Sequence, residues 1–173
     1  SKFFNMRKIN KSYFALFLLL SFSTIVISQD KKIDSLKKEL SVHTGKDSIR
    51  VNILNELAYN YYLKDTRISQ SYLGKAENIL KTVDYKRGQA RNLFIKGALG
   101  SMKGNFESTI HYYQDALKLY KSINFKKGIS DCYSALGVIS RFQNNYKSAI
   151  EYLEKAIKIK KLLRIFLLRI KVL

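Results

Sequence analysis

Two histidines, one cysteine and one close pair of glycines are the residues whose chemistry first asks for a role. His43 reads as a loop residue. His111 falls on a helical stretch beside Tyr112 and Tyr113, far from His43 in sequence, so neither is expected to hold a metal or move a proton. Cys132 stands alone, so the chain can form no internal disulfide, CxxC redox pair or cysteine-based zinc site. With no histidine at helical spacing, Cys132 reads as a buried structural thiol rather than a nucleophile. Gly97 and Gly100 form a Gly-x-x-Gly, but a phosphate loop needs a preceding strand and a following Gly-Lys-Ser/Thr, and neither is present. The acids are too few and too scattered to pair as general acid and base. These residues predict no catalytic site, no metal and no cofactor, and therefore no enzyme.

A self-match at a fixed distance is the strongest signal for the elements carrying these residues. Asp84-Tyr85-Lys86-Arg87-Gly88 recurs forty positions later as Asn124-Phe125-Lys126-Lys127-Gly128. Gly97 recurs as Gly137, Asn105-Phe106 as Asn145-Tyr146, and Ala116 as Ala156. A weaker copy lies upstream, with Ala76 forty before Ala116 and Leu57-Ala58 near the place of Leu136-Gly137. Each unit divides into helix A and helix B, joined by a polar turn such as Asn144-Asn145, with Asn145 as N-cap. The spacing predicts helix pairs near 47–64 and 66–82, 87–103 and 106–123, and 127–143 and 146–163. In the last pair, Ile129, Tyr133, Leu136, Val138 and Ile139 form the apolar face of helix A. Ala149, Tyr152, Leu153, Ala156, Ile157 and Leu163 are expected to face inward from helix B. Gly137, Ala149 and Ala156 are small where the two helices must approach. The chain has no proline, which agrees with an all-helical fold.

These residues resemble the tetratricopeptide family. The family pattern sets a Leu-Gly pair, an aromatic or apolar residue three before that Leu, an Ala twelve after the Gly and another Ala seven later. Tyr133, Leu136-Gly137, Ala149 and Ala156 match it in the third repeat. Leu93, Gly97 and Ala116 match in the second, where Lys96 stands for Leu and Thr109 for the first Ala. Leu54, Leu57, Ala58, Tyr61 and Ala76 match in the first, with Ser69 at the first small position. The period of forty exceeds the family's usual 34, as in variants with a longer helix B and inter-repeat loop. The resemblance implies an all-α, right-handed α-solenoid of three helical hairpins (47–83, 84–123 and 124–163). It also implies a protein or peptide partner bound on the concave face of the A helices. Repeat register places Asn52, Asn55, Tyr59 and Tyr62 on that face, followed by Arg91, Phe94, Ala98 and Ser101, then Asp131, Ser134, Val138 and Arg141. A clamp for a terminal carboxylate, known in some family members, would fall on Asn55, Tyr59, Ile95, Asp131 and Ala135, which lack the necessary cations.

The ends read differently. Met6 looks like the natural start, and Arg7, Lys8 and Lys11 precede a 16-residue apolar run, Tyr13–Ser28. Residues 1–28 therefore read as a signal peptide cut after Ser28, directing export to the periplasm or outside; an uncleaved segment would anchor the chain in the inner membrane. No stable membrane span is expected after cleavage. Residues 29–46 read as a capping helix and loop, with Ile33, Leu36, Leu40 and Val42 as its apolar face. Signal plus long-period repeats is similar to exported proteins of Bacteroidetes-type bacteria, many of which continue into a membrane helix and a histidine-kinase output. Residues 164–173 leave the repeat pattern. Leu162, Leu163, Ile165, Phe166, Leu167 and Leu168 surround the helix axis, which predicts a lost reading frame near residue 162, a further repeat in the natural protein, and self-association through the tail.

The formal net charge is +19. Lys2, Arg7, Lys8 and Lys11 at one end and Lys158, Lys160, Lys161, Arg164, Arg169 and Lys171 at the other account for ten charges, leaving +9 on residues 29–157. A nucleic-acid or anionic-surface binder is thus the rival reading. The lysines are dispersed among acids rather than gathered in one stripe, so no nucleic-acid partner is expected.

Overall fold

The computed structural model describes residues 30–170, with side chains through Leu167. The proposed signal peptide lies outside the described residues. Seven helices run in chain order among the described residues: α1 (30–42), α2 (Ser48–Tyr61), α3 (Thr66–Leu80), α4 (Lys86–Met102), α5 (Phe106–Ser122), α6 (Lys126–Phe142) and α7 (Tyr146–Ile170). No strand occurs among the described residues. The principal contacts are α2 with α3, α4 with α5 and α6 with α7, while α4 and α6 join successive pairs. This is an all-α solenoid of helical hairpins, with α2, α4 and α6 as the A helices.

Local chemistry explains where each helix begins and ends. Asp47 and Asp65 cap α2 and α3, accepting from the backbone N–H groups of Arg50 and of Arg67 and Ile68. Asn105 and Asn145 cap α5 and α7 through Ser108 N–H and Ser148 N–H. Between α4 and α5, Gly104 takes φ 72°, and between α6 and α7 Asn144 takes φ 59°. These left-handed residues let Asn105 N–H reach Gly100 O at 3.1 Å and Asn145 N–H reach Ser140 O at 2.8 Å, closing both A helices in the same way.

The recurrent glycines are sites of close packing. A Cβ on Gly97 would lie 2.6 Å from the Tyr113 ring, and one on Gly128 would lie 2.6 Å from the Tyr120 ring. Gly137 would meet Leu153 at 2.8 Å and the Ala149 carbonyl at 3.2 Å. Gly97 therefore sets the distance within a hairpin and Gly128 the distance between hairpins. The hydroxyls that replace Ala in the first two repeats have a further role. Ser69 donates to Ala58 O at 2.8 Å, and Thr109 donates to Gly97 O at 3.3 Å and to Asn105 O at 2.7 Å. Small size and a satisfied hydroxyl are compatible at this helix crossing.

α1 covers the first hairpin by packing Ile33 against Ile53 and Leu57, with Leu36 and Leu40 partly buried. Val42, expected on that apolar face, is 74% exposed because it ends the helix beyond the contact. Leu153 and Ile157 also depart from expectation and lie at the surface. Forty residues earlier, Tyr113 and Leu117 are buried in the cluster that includes Ile129, Cys132 and Leu136 of α6. No described helix packs on the corresponding side of α7, so the same seam is open there. α7 continues to Ile170, and Leu162, Ile165, Phe166 and Leu167 are exposed along it. No described helix is long and apolar enough to cross a membrane.

Candidate functional site

Helices α2, α4 and α6 line one side of the solenoid and enclose an open groove of about 1120 Å³. Eight of the residues placed there by register line it: Asn52, Tyr59, Arg91, Phe94, Ser101, Asp131, Ser134 and Val138. Arg91 sits at its centre, with its guanidinium 4.3 Å from the Tyr59 ring centroid and 2.9 Å from Glu56 Oε1. Asp131 holds Lys127 at 2.8 Å, and Ser134 accepts from Lys160 at 3.2 Å. Asn52 Oδ1 accepts from the Tyr85 hydroxyl at 3.0 Å. Phe94 leans on Tyr113, with centroids 5.2 Å apart.

Four of the assigned residues lie elsewhere. Asn55 is fully buried; it donates to Gly88 O at 3.0 Å and accepts from Asn92 at 3.1 Å. Its amide is consumed in joining α2 to α4, so it is unavailable to a ligand. Tyr62 stacks on Tyr59 at 5.4 Å and packs toward Leu73 and Ile95, outside the groove lining. Arg141 points to solvent near Phe142. Ala98, at the limit of burial, also fails to reach the groove.

Register reasoning missed Glu56, Arg87, Met102, Phe106, Phe125, Lys127 and Phe142, all of which line the groove. A signal existed for several of them. Arg87 and Lys127 are one repeat apart, as are Met102 and Phe142, and Phe125 belongs to the recurring inter-repeat motif. Phe125 falls between the expected helices 106–123 and 127–143, and its aromatic ring forms part of the groove wall, 4.3 Å from the Arg87 guanidinium.

The chemically reactive residues have structural surroundings. His43 Nε2 is 2.9 Å from Asp47 Oδ1, in the loop that leads into α2. The Arg50 backbone N–H and then His43 hold the Asp47 carboxyl below its ordinary range. His111 is exposed. No group of three or more His, Cys, Asp or Glu side chains that could hold a metal ion occurs among the described residues. Cys132 is fully buried, and burial followed by the charge of Asp131 pushes its thiol up to about 12. Burial likewise raises the Tyr113 hydroxyl to about 12, and raises Tyr120 as well.

These shifts give an expected alkaline profile. Cys132 and Tyr113 keep their protons to higher pH in the folded chain than in the unfolded one. Their stabilising contribution is complete below their ordinary values of 9.0 and 10.0 and is lost as pH rises toward about 12. Urea midpoints should therefore fall as pH rises from about 9 toward about 12. The contribution of Cys132 is at most about 1.4 kcal/mol per pH unit, and Cys132→Ala should flatten the early part of the fall. An unchanged profile in that variant would rule out Cys132 as the source.

The folded chain is a helical-repeat scaffold: antiparallel helix pairs, stacked in register, present a common groove. Residues 90–161 match the family model for the tetratricopeptide repeat. That match and the seven described helices fit a tetratricopeptide-repeat protein. Repeats of this family generally mediate contacts between proteins. No curated protein matches the chain.

Proposed function

We propose that this chain is a non-enzymatic scaffold of the bacterial envelope that binds a protein or peptide through the groove of its A helices, as the sensory part of a signalling protein. The groove carries this reading. At about 1120 Å³ it exceeds the usual size of a small-molecule pocket, and its lining combines aromatic rings, the Asn52 amide and the ion-paired Arg91 and Lys127. Such a surface suits a peptide, whose backbone can bond to amides while rings cover its side chains. The location rests on the basic and apolar pattern of residues 1–28, and the signalling role on the similarity of that arrangement to exported repeat proteins.

The test begins with the purified chain on a random peptide array. Bound peptides are then measured in solution between 50 and 200 mM salt, beside a single-stranded oligonucleotide. A groove-bound peptide should lose less than about tenfold across this range, whereas a polyanion held by 6–10 phosphate contacts loses about 10³–10⁵-fold. Steep loss for every ligand would favour the anionic-surface reading. Export is tested separately by fusing residues 1–30 to alkaline phosphatase, where an inactive fusion would count against an envelope location.

A further inference from the structure

The groove has two chemically different ends. At the start of α4 and α6 lie Lys86-Arg87 and Lys126-Lys127, and neither helix has an acid in its first turn or a side-chain cap. Their positive ends therefore add to the field of these cations. Lys127 is balanced by Asp131, and farther along α4 Arg91 is balanced by Glu56. Arg87 meets no carboxylate among the described residues and rests only on the Phe125 ring. At the other end, where α4 and α6 finish, the lining is apolar. Met102 is 48% exposed, Val138 42% and Phe142 58%, and Phe142 stacks on Phe106 at 6.2 Å with the rings 8° from parallel. Isolated exposed apolar side chains are ordinary, but three gathered around the half-buried Phe106 at one end of a groove mark a docking surface. From Arg87 to Met102 the helical rise is about 22 Å, or about seven residues of extended chain.

We infer that the groove takes a short extended peptide polarised along its length, acidic at one end and aliphatic or aromatic at the other. The carboxylates lie at Arg87 and Lys127, and the apolar side chains cover Met102, Val138 and Phe142. This deepens the proposed function and rests on the groove being the binding surface. A peptide with mixed charge and apolar residues along its whole length would place carboxylates on Phe142 and methyl groups on Arg87, losing both sets of contacts. Desolvating a carboxylate against rings without a partner is costly.

The probes are fluorescein-labelled peptides of about ten residues: glutamates in one half and Leu-Phe-Leu in the other, its reversed sequence, the same composition alternated, and a version with lysine for glutamate. Fluorescence polarisation against the full chain should show one of the two block peptides binding at least about tenfold tighter than the alternated and lysine versions. Arg87→Glu and Phe142→Asp should each weaken that block peptide about tenfold. Both side chains are exposed, so far-UV circular dichroism should remain unchanged. If alternated or lysine peptides bind as well and Phe142→Asp weakens them all, the groove binds but is not polarised, and the inference is overturned alone. If neither substitution changes binding of any peptide, the groove reading falls with it.

Discussion

Gly137→Leu is expected to destabilise the fold by about 3 kcal/mol, the upper part of the range for an overpacked core position. For a chain of this size, that corresponds to a fall in melting temperature of roughly 6–12 °C. The cause is visible at the crossing of α6 and α7. A Cβ at Gly137 would lie 2.8 Å from Leu153 Cγ and 3.2 Å from the Ala149 carbonyl oxygen. Leu153 is at the surface and can swing away, but Ala149 O belongs to the α7 backbone and can retreat only if the helix does. Moving α7 would separate Ser130 from the Ala156 carbonyl, a buried hydrogen bond of 3.1 Å that joins the same two helices. Gly74 supplies the control. It is also helical, but a Cβ there would meet nothing within 4 Å. Gly74→Ala should leave the melting temperature unchanged or raise it, since alanine favours a helix by about 1 kcal/mol over glycine. Equal melting temperatures for Gly137→Leu and the unsubstituted chain would mean that the helices do not cross at this residue.

The glycines show why the fold was legible in the sequence. Gly97 and Gly137, and Gly88 and Gly128, recur because each lies where a side chain would strike a neighbouring residue. A geometric requirement repeated every forty residues leaves a repeated residue type. The groove was legible where side-chain direction follows from helix register, as with Asn52, Tyr59 and Arg91. It was illegible where a residue's role depends on which helix comes next. Asn55 has a surface-type side chain, but α4 approaches closely enough to bury it. Leu153 and Ile157 have core-type side chains, yet no described element covers them. Phe125 looks like a turn residue until the bend places its ring beside Arg87. Such contacts depend on inter-repeat geometry, which has no counterpart in the pattern of a single helix.

Asn55 also provides the second large expected effect. Its amide donates to Gly88 O at 3.0 Å, while its oxygen accepts from Asn92 at 3.1 Å; Asn92 also donates to Leu73 O at 3.2 Å. Both amides are almost completely buried, so this short network joins α2, α3 and α4 out of reach of water. Asn55→Leu would leave one Asn92 N–H without its acceptor, and Asn92→Leu would leave the Asn55 oxygen without its donor. Each substitution should cost about 2 kcal/mol, the scale of a buried polar group deprived of its partner. In the double variant neither orphaned amide remains. Its cost should therefore be smaller than the sum of the two single costs by about 1 kcal/mol or more, as expected for residues in direct contact. Urea unfolding of the four proteins at pH 7 measures this coupling. Costs that add within about 0.3 kcal/mol would show that the two amides act independently and that apolar packing alone aligns the first two repeats. A coupling of the expected size would make the Asn55–Asn92 pair a polar register pin between repeats. Among the described residues the pair belongs to the first junction: forty residues after Asn92 stands Cys132, which packs among Tyr113, Tyr120, Ile129 and Leu136.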